Sequence, residues 1–230
     1  MTVISHRLRL AYEPIPKNAC TSAKSMLFWA DTGRRYDPRQ QCQGKYIEIH
    51  NLYPSIADGG RVEDWLAHYD RVVILRDPIA RFISGFRNRI LHFRDIESHA
   101  ARDAKVSARL LQSGLPAVPD VNIFAEHLAA YMEISGIVWH HFVPQIKFVD
   151  KIRSAISHAF DVDRLGEFRS YLAGRSGIEI DLLALQTAGR KVEVAEIDTK
   201  NLAGIRNYYA EDYRLLDGFG IPYSHAAEHP

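Results

Sequence analysis

The chain has 230 residues, 47% of them hydrophobic and 25% charged, which is the composition of an ordinary soluble globular protein. Its 29 basic and 28 acidic residues give a net charge of only +1, so a broad surface for nucleic acids or membranes is not indicated. Any anion site must therefore come from a local arrangement of charge, and the length favours a single domain over residues 1–230.

The two cysteines, Cys20 and Cys42, are too few for a disulfide framework, and we expect free thiols in a reducing compartment. No stretch approaches the ~18 consecutive apolar residues of a membrane span. The first residues do not form a secretion signal. We therefore expect a complete, cytoplasmic protein without a transmembrane segment.

The first predicted elements are a strand over residues 9–13 and a helix whose apolar stripe runs through residues 23–30. The eight residues Ile15-Pro16-Lys17-Asn18-Ala19-Cys20-Thr21-Ser22 lie at the turn between them, and we call this run the cradle. Unpaired N–H groups at a helix start lie at the positive end of the helix dipole, so the cradle predicts a phosphate-binding turn.

Side chains of the cradle add to this prediction. Thr21 and Ser22 offer hydroxyl donors, and Lys17 offers a positive charge. The pattern G-x-x-x-x-G-K-[ST] of nucleoside triphosphate loops is absent, which argues against a kinase or ATPase. Lys24, one helical turn beyond, fits either a site residue or a solvated helix lysine equally well.

The first helix is predicted to end near Gly33. Residues 44–51 alternate and are rich in β-formers, so they predict a second strand, on which Glu48 and His50 share a face. A short helix is expected around residues 62–68.

Residues 71–76 form an apolar run typical of a buried parallel strand, and Asp77-Pro78 predicts the start of a helix. One face of that helix is apolar, with Ile79, Phe82, Ile83, Phe86 and Ile90. The opposite face carries Arg81, Ser84 and Asn88. A solvated helix face is the more common explanation for its basic stretch, Arg81, Arg87, Arg89 and Arg94.

The remaining sequence is mostly helical in pattern. Helices are predicted around residues 124–132, 151–157, 165–172 and 203–216. The polar segment 92–120 is expected to be a variable insertion or a mobile flap. Strands alternating with helices predict an α/β fold, with a central parallel sheet flanked by helices and a mostly helical second half.

Arg76 and Ser84 suggest a second anion site. Arg76 closes the buried strand, and Ser84 follows eight residues later in the next helix, near the strand ends where open α/β sheets bind ligands. Arginine can bind a phosphate with two parallel hydrogen bonds, and serine can donate one more. Two phosphate sites suggest a nucleotide with two separate phosphate groups.

The cradle together with Lys24 resembles the 5′-phosphosulfate loop of sulfotransferases, most closely the Golgi carbohydrate branch and its bacterial relatives. Residues 76–87 resemble the 3′-phosphate motif of that branch, with Arg76 and Ser84 in the matching positions. Weaker likenesses lie at residues 139–145 and 209–218. The Golgi members carry a membrane anchor and usually more cysteines, so their cellular setting and their particular sugar are not carried over.

The resemblance implies a sulfotransferase fold of the P-loop-NTPase-like α/β type that binds 3′-phosphoadenosine 5′-phosphosulfate and releases adenosine 3′,5′-bisphosphate. Carried over by position, Lys17, Thr21 and Ser22 hold the 5′-phosphosulfate, within a cradle that also includes Asn18, Ala19 and Cys20. Arg76 and Ser84 hold the 3′-phosphate. Lys17 also acts in catalysis, because it offsets the charge that builds on the leaving phosphate.

A hydroxyl acceptor needs a base, and the resemblance points to the strand after the cofactor loop. His50 is the first candidate, because an imidazole titrates near neutral pH, and Glu48 is the second. His140 and His141 are adjacent and lack a third ligand at a usual spacing, so no metal is expected.

We therefore expect a sulfotransferase that acts on a hydroxyl, most plausibly of a carbohydrate or glycolipid, with no nucleic-acid partner. A nucleotide-dependent phosphotransferase of the P-loop type is the alternative enzyme. A catalytically silent nucleotide-binding module is the alternative from another class.

Overall fold

The structure is a computed structural model that describes residues 2–56, 66–181 and 190–223. The chain forms two compact units, each with its own core. The first comprises Met1–Arg76 and Phe148–Gln186, and the second comprises Asp77–Lys147 and Thr187–Pro230. That residues 1–230 act as one domain stays a prediction.

Most of the strands among the described residues lie in the first half of the chain, and helices dominate the second half. In chain order, the strands are β1 (Val3–Ser5), β2 (Leu10–Glu13), β3 (Gln41–Cys42), β4 (Lys45–Tyr46), β5 (Asp70–Leu75) and β6 (Ile156–Asp161). The α-helices are α1 (Cys20–Thr32), α2 (Ile49–Leu52), α3 (Pro78–Gly85), α4 (Asp95–Ala100), α5 (Ala104–Ser113), α6 (Val121–Glu126), α7 (Leu128–Ile134), α8 (Gly136–Phe142), α9 (Ile146–Val149), α10 (Leu165–Ser176), α11 (Thr199–Tyr208) and α12 (Ala210–Gly218).

The first unit contains a four-stranded sheet in the order β1-β2-β5-β6. The strands β2, β5 and β6 run parallel, and β1 pairs antiparallel at the edge. All of β2 and five of the six residues of β5 are buried, as expected for parallel strands covered on both faces. This confirms the predicted α/β fold with a central parallel sheet.

The core of the first unit lies between this sheet and the helices α1 and α10. Tyr12 on β2, Met26 on α1, Ile74 on β5 and Phe168 on α10 belong to one buried cluster. Helix α1 ends where Gly33 takes a left-handed conformation (φ 72°) and donates its N–H to the Trp29 carbonyl, which confirms the predicted end.

The second unit is built on the predicted apolar helix. Asp77 caps α3 by accepting the N–H of Ala80 at 2.8 Å, with Pro78 at the first helical position. All five predicted apolar residues belong to its core. A side chain at Gly85 would come within 2.9 Å of the Phe142 ring, so the close packing there requires glycine.

Helix α3 continues as a π-helix over Phe86–His92, and the segment after it is partly helical. Helices α4 and α5 lie within residues 92–120 and contribute Ile96, Val106 and Leu110 to the core of the second unit. That this segment is a variable insertion or a flap stays a prediction.

Other sequence-based elements differ from the structure. The helix predicted over residues 151–157 is confirmed only in part, because a 3₁₀ helix spans Asp150–Ala155 and β6 begins at Ile156. There, pairing with β5 outweighs local propensity. The helix predicted over residues 203–216 is two helices, α11 and α12, which meet at Tyr209. The short helix predicted around Val62 to His68 falls mostly outside the described residues.

Candidate functional site

The cradle is a tight turn that enters α1. Asn18 donates its N–H to the Ile15 carbonyl at 3.1 Å, so Pro16 and Lys17 occupy the two central positions of a turn. Lys17 has φ 71°, the left-handed value that a type II turn requires at its third residue. Ala19, which precedes the helix, is also left-handed at φ 55°. Left-handed residues in a turn can direct backbone N–H groups toward an anion, and the cradle adopts this conformation without glycine.

Three contacts fix the cradle to the rest of the first unit. The fully buried Asn18 side chain donates to the Ile74 carbonyl on β5 at 2.8 Å, and Arg76 donates to the Lys17 carbonyl at 2.9 Å. The Cys20 sulfur lies 2.6 Å from the Ile15 carbonyl oxygen. Asn18 thus shapes the turn, since its N–H and its side chain both form hydrogen bonds within the protein.

The first turn of α1 carries the two predicted hydroxyl donors. Ser22 is only 5% exposed, and Thr21 is partly exposed. The helix lacks an N-terminal side-chain cap, because Ala19 at that position has no acceptor. An anion bound at this helix start would take the place of the missing cap.

The predicted second strand is wrong. Gln43 and Gly44 both have positive φ, so the sequence turns back in a hairpin whose arms, β3 and β4, are two residues each. Glu48 then begins the short helix α2 as its N-cap residue. The pattern failed because this hairpin is exposed on both faces and finds no partner strand among the described residues.

This correction separates the two candidate bases. Glu48 and His50 do not share a strand face, because residues two apart on a helix point to nearly opposite sides. His50 lies at the cradle, since its Nε2 and the Thr21 hydroxyl share a hydrogen bond of 3.3 Å. The structure therefore brings His50 to the predicted phosphate site, whereas Glu48 lies at the start of α2.

His50 has an electrostatic environment suited to a base. Its ring is at the surface, yet partial desolvation by the surrounding protein lowers its pKa, and the positive charge of Lys24 lowers this pKa further. The negative charge of Glu48 raises the pKa of His50 and so opposes these two effects. The net effect favours the neutral imidazole, which can accept a proton, at neutral pH.

Arg76 and Ser84 are placed by the strand end and the helix that follows it. Arg76 directly follows β5 and is partly buried, and Ser84 is partly buried on α3. Their predicted role at a 3′-phosphate stays a prediction. Arg81, on the same helix, is only 1% exposed and donates to the Val143 carbonyl at 2.9 Å, so the expectation that it lies on a solvated face is wrong.

The two weaker motifs contact each other inside the second unit. Asp212 accepts the N–H groups of Gln145 and Ile146, both at 2.9 Å, and Tyr209 donates its hydroxyl to the Phe142 carbonyl at 2.7 Å. Burial raises the pKa of Asp212, which is 0% exposed, although these hydrogen bonds oppose the rise. Residues 139–145 are thus held by a buried polar cluster that pattern reading did not identify.

His140 and His141 have structural contacts. Their rings pack edge to face at 5.2 Å, and His141 hydrogen-bonds to the Ile137 carbonyl through Nδ1 at 2.9 Å. Across residues 2–56, 66–181 and 190–223, no group of three His, Cys, Asp or Glu side chains is arranged to hold a metal. None of the helices in these ranges is long and apolar enough to cross a membrane.

Comparison with known proteins decides the family. The model of the sulfotransferase family (sulfotransferase family 2) matches residues 1–219. The chain is a member of the sulfotransferase family. Searches among curated proteins and among solved structures gave no significant match. Membership assigns this sulfotransferase to sulfuryl transfer as a reaction class, with a hydroxyl-bearing acceptor.

Proposed function

We propose that this sulfotransferase uses 3′-phosphoadenosine 5′-phosphosulfate as donor and sulfates a hydroxyl of a carbohydrate or glycolipid. One observation carries the proposal. The predicted phosphate-binding turn and a histidine suited to act as a base are in direct contact, through the 3.3 Å hydrogen bond between Thr21 and His50. An anion-binding group and a proton acceptor are the two parts that sulfuryl transfer to a hydroxyl requires.

The residues of the cradle would hold the sulfated end of the donor. The hydroxyls of Thr21 and Ser22 and the start of α1 offer hydrogen-bond donors to its oxygens, and Lys17 offers a positive charge. The donor supplies a sulfuryl group on a phosphate leaving group. Lys17 stabilises the negative charge that the phosphate gains as the S–O bond breaks.

Arg76 and Ser84 would bind the 3′-phosphate. The Arg76 guanidinium follows a buried strand, and the Ser84 hydroxyl lies in the last turn of the next helix. Both are donors that suit a phosphate with several acceptor oxygens. A donor with a 3′-phosphate would in this way be preferred over one without it.

His50 would remove the proton of the acceptor hydroxyl as the new O–S bond forms. Its lowered pKa favours the unprotonated ring at neutral pH, and its contact with Thr21 supports a role beside the sulfuryl group that the cradle would hold. Glu48 is the weaker candidate, because the structure places it as the N-cap of α2, where it modulates His50 through its charge.

The test incubates the protein with donor carrying a labelled sulfate and a panel of glycans, glycolipids, phenols and lipids. Label is expected on a glycan or glycolipid, and Lys17→Ala and His50→Ala should each reduce its incorporation by at least about a hundredfold. Label on phenols alone would contradict the acceptor class. Magnesium-dependent ATP turnover with no sulfuryl transfer would favour the phosphotransferase instead.

A further inference from the structure

Lys24 is a buried cation behind the cradle. It is only 3% exposed, on α1, three residues after Thr21, so it is not a solvated helix lysine. Its ammonium donates to the Ser55 hydroxyl at 3.1 Å. Lysine is rarely buried without a negative partner, because removing its charge from water is costly. In the part of the chain that the structure describes, no carboxylate forms an ion pair with it.

The ammonium of Lys24 lies toward the start of α1. Side chains on a helix lean toward its N-terminus, which here is the end of the cradle. Two electrostatic effects agree with this position. The charge of Lys24 lowers the pKa of His50, and the interaction with Cys20 raises the pKa of Lys24. Burial lowers the pKa of Lys24, and the nearby Cys20 opposes the change. Within the described ranges, the Ser55 hydroxyl is the partner of this buried ammonium, and no carboxylate balances its charge.

We propose that Lys24 is a second cation of the cradle, which together with Lys17 holds the anionic 5′ end of the bound nucleotide. This inference rests on the proposed function and adds a residue to it. Lys17 approaches the anion from the turn, and Lys24 supplies positive charge from within the helix. The bound anion then offsets the cost of burying the ammonium.

The test compares two ligands that differ only at the 5′ position, adenosine 3′,5′-bisphosphate and adenosine 3′-monophosphate. Calorimetry gives the affinity of each for wild type, Lys24→Met and Lys24→Arg. Lys24→Met is expected to lower the affinity for the bisphosphate by about ten- to a hundredfold and to leave the affinity for the monophosphate unchanged. Lys24→Arg keeps the charge and should restore most of the difference. The exposed Lys151→Met, in the same unit, serves as the control and should change neither affinity.

Two further variants guard against a folding defect. Lys24→Gln keeps a donor for Ser55 without the charge and should match Lys24→Met, whereas Ser55→Ala keeps the charge and should retain the difference between the ligands. The inference would be overturned if Lys24→Met and Lys24→Gln lowered the affinities for both ligands equally. It would also be overturned if these variants left both affinities unchanged. If wild type binds neither nucleotide, the proposed function itself fails.

Discussion

Arg76 donates a hydrogen bond of 2.9 Å to the carbonyl oxygen of Lys17. The two residues are proposed to bind different phosphates of one nucleotide, yet they are directly linked by this hydrogen bond. The bond holds the carbonyl of a residue in the left-handed conformation, which is strained for lysine. Arg76 therefore shapes the cradle, and we propose that it also binds the 3′-phosphate.

This link predicts different consequences for Arg76 and Ser84. Arg76→Lys loses the planar set of donors of the guanidinium. It should lower the affinity for adenosine 3′,5′-bisphosphate by at least about tenfold and the affinity for AMP by several fold. Ser84→Ala should lower only the affinity for the bisphosphate, because AMP lacks the 3′-phosphate. Calorimetric titration of both nucleotides checks this. Unchanged AMP binding in Arg76→Lys would show that the Lys17 contact does not shape the cradle.

Ala19 has φ 55°, a conformation that costs an L-residue about 1–2 kcal/mol. Ala19→Gly should therefore raise the free energy of unfolding by about 0.5–1 kcal/mol, after the extra chain entropy of glycine is subtracted. The control is Ala173→Gly inside α10, a substitution that should lower the free energy of unfolding by about 1 kcal/mol. Urea denaturation of both variants measures the difference. A loss of stability in both would mean that Ala19 is not strained.

The pH dependence of transfer should follow His50. A base must be unprotonated, so kcat/KM should fall as pH drops through its pKa, which lies below the usual 6.5. Glu48→Gln removes the charge that raises this pKa, so the acidic limb should move to lower pH. A pH profile of wild type and Glu48→Gln tests both expectations. An acidic limb above pH 6.5 in wild type would be inconsistent with His50 as the base.

The buried carboxylate of Asp212 should be critical for stability in the second unit. Asp212→Ala leaves the N–H groups of Gln145 and Ile146 without their acceptor, at a cost of about 3 kcal/mol. Asp212→Asn keeps one acceptor oxygen, so it should lower the free energy of unfolding by less than Asp212→Ala does. The neighbouring exposed Glu211→Ala should stay within about 0.5 kcal/mol of wild type. Denaturant midpoints of the three variants check the order, and a loss in Glu211→Ala equal to that in Asp212→Ala would refute the role of the buried contacts.

The parts of the fold that sequence predicted well are those with strong local signals. A compact apolar run predicts the strand at residues 71–76, and Asp77-Pro78 predicts the start of α3. The apolar stripe of α3 was correct because burial follows the helical period directly. The sequence predicts the cradle at the junction of β2 and α1, since proline and hydroxyl residues there interrupt two periodic segments, and in the structure its last three residues form the first turn of α1.

The parts that failed depend on contacts between residues far apart in sequence. The strand β6 was missed because its outer residues are exposed and only its pairing with β5 defines it. Glu48 and His50 were assigned to a strand, although the positive φ of Gln43 and Gly44 makes a hairpin and α2 follows. The burial of Lys24 and Arg81 could not be predicted from charge patterns, because charged side chains are usually exposed.

The most direct measurement of the central claim is nucleotide selectivity in wild type. Calorimetric affinities for adenosine 3′,5′-bisphosphate, AMP and ATP with magnesium are compared under one buffer. We predict that the bisphosphate binds at least about tenfold more tightly than AMP, because Arg76 and Ser84 add charge-assisted hydrogen bonds to its 3′-phosphate. Equal affinity for AMP, or tighter binding of ATP with magnesium, would contradict the proposed donor.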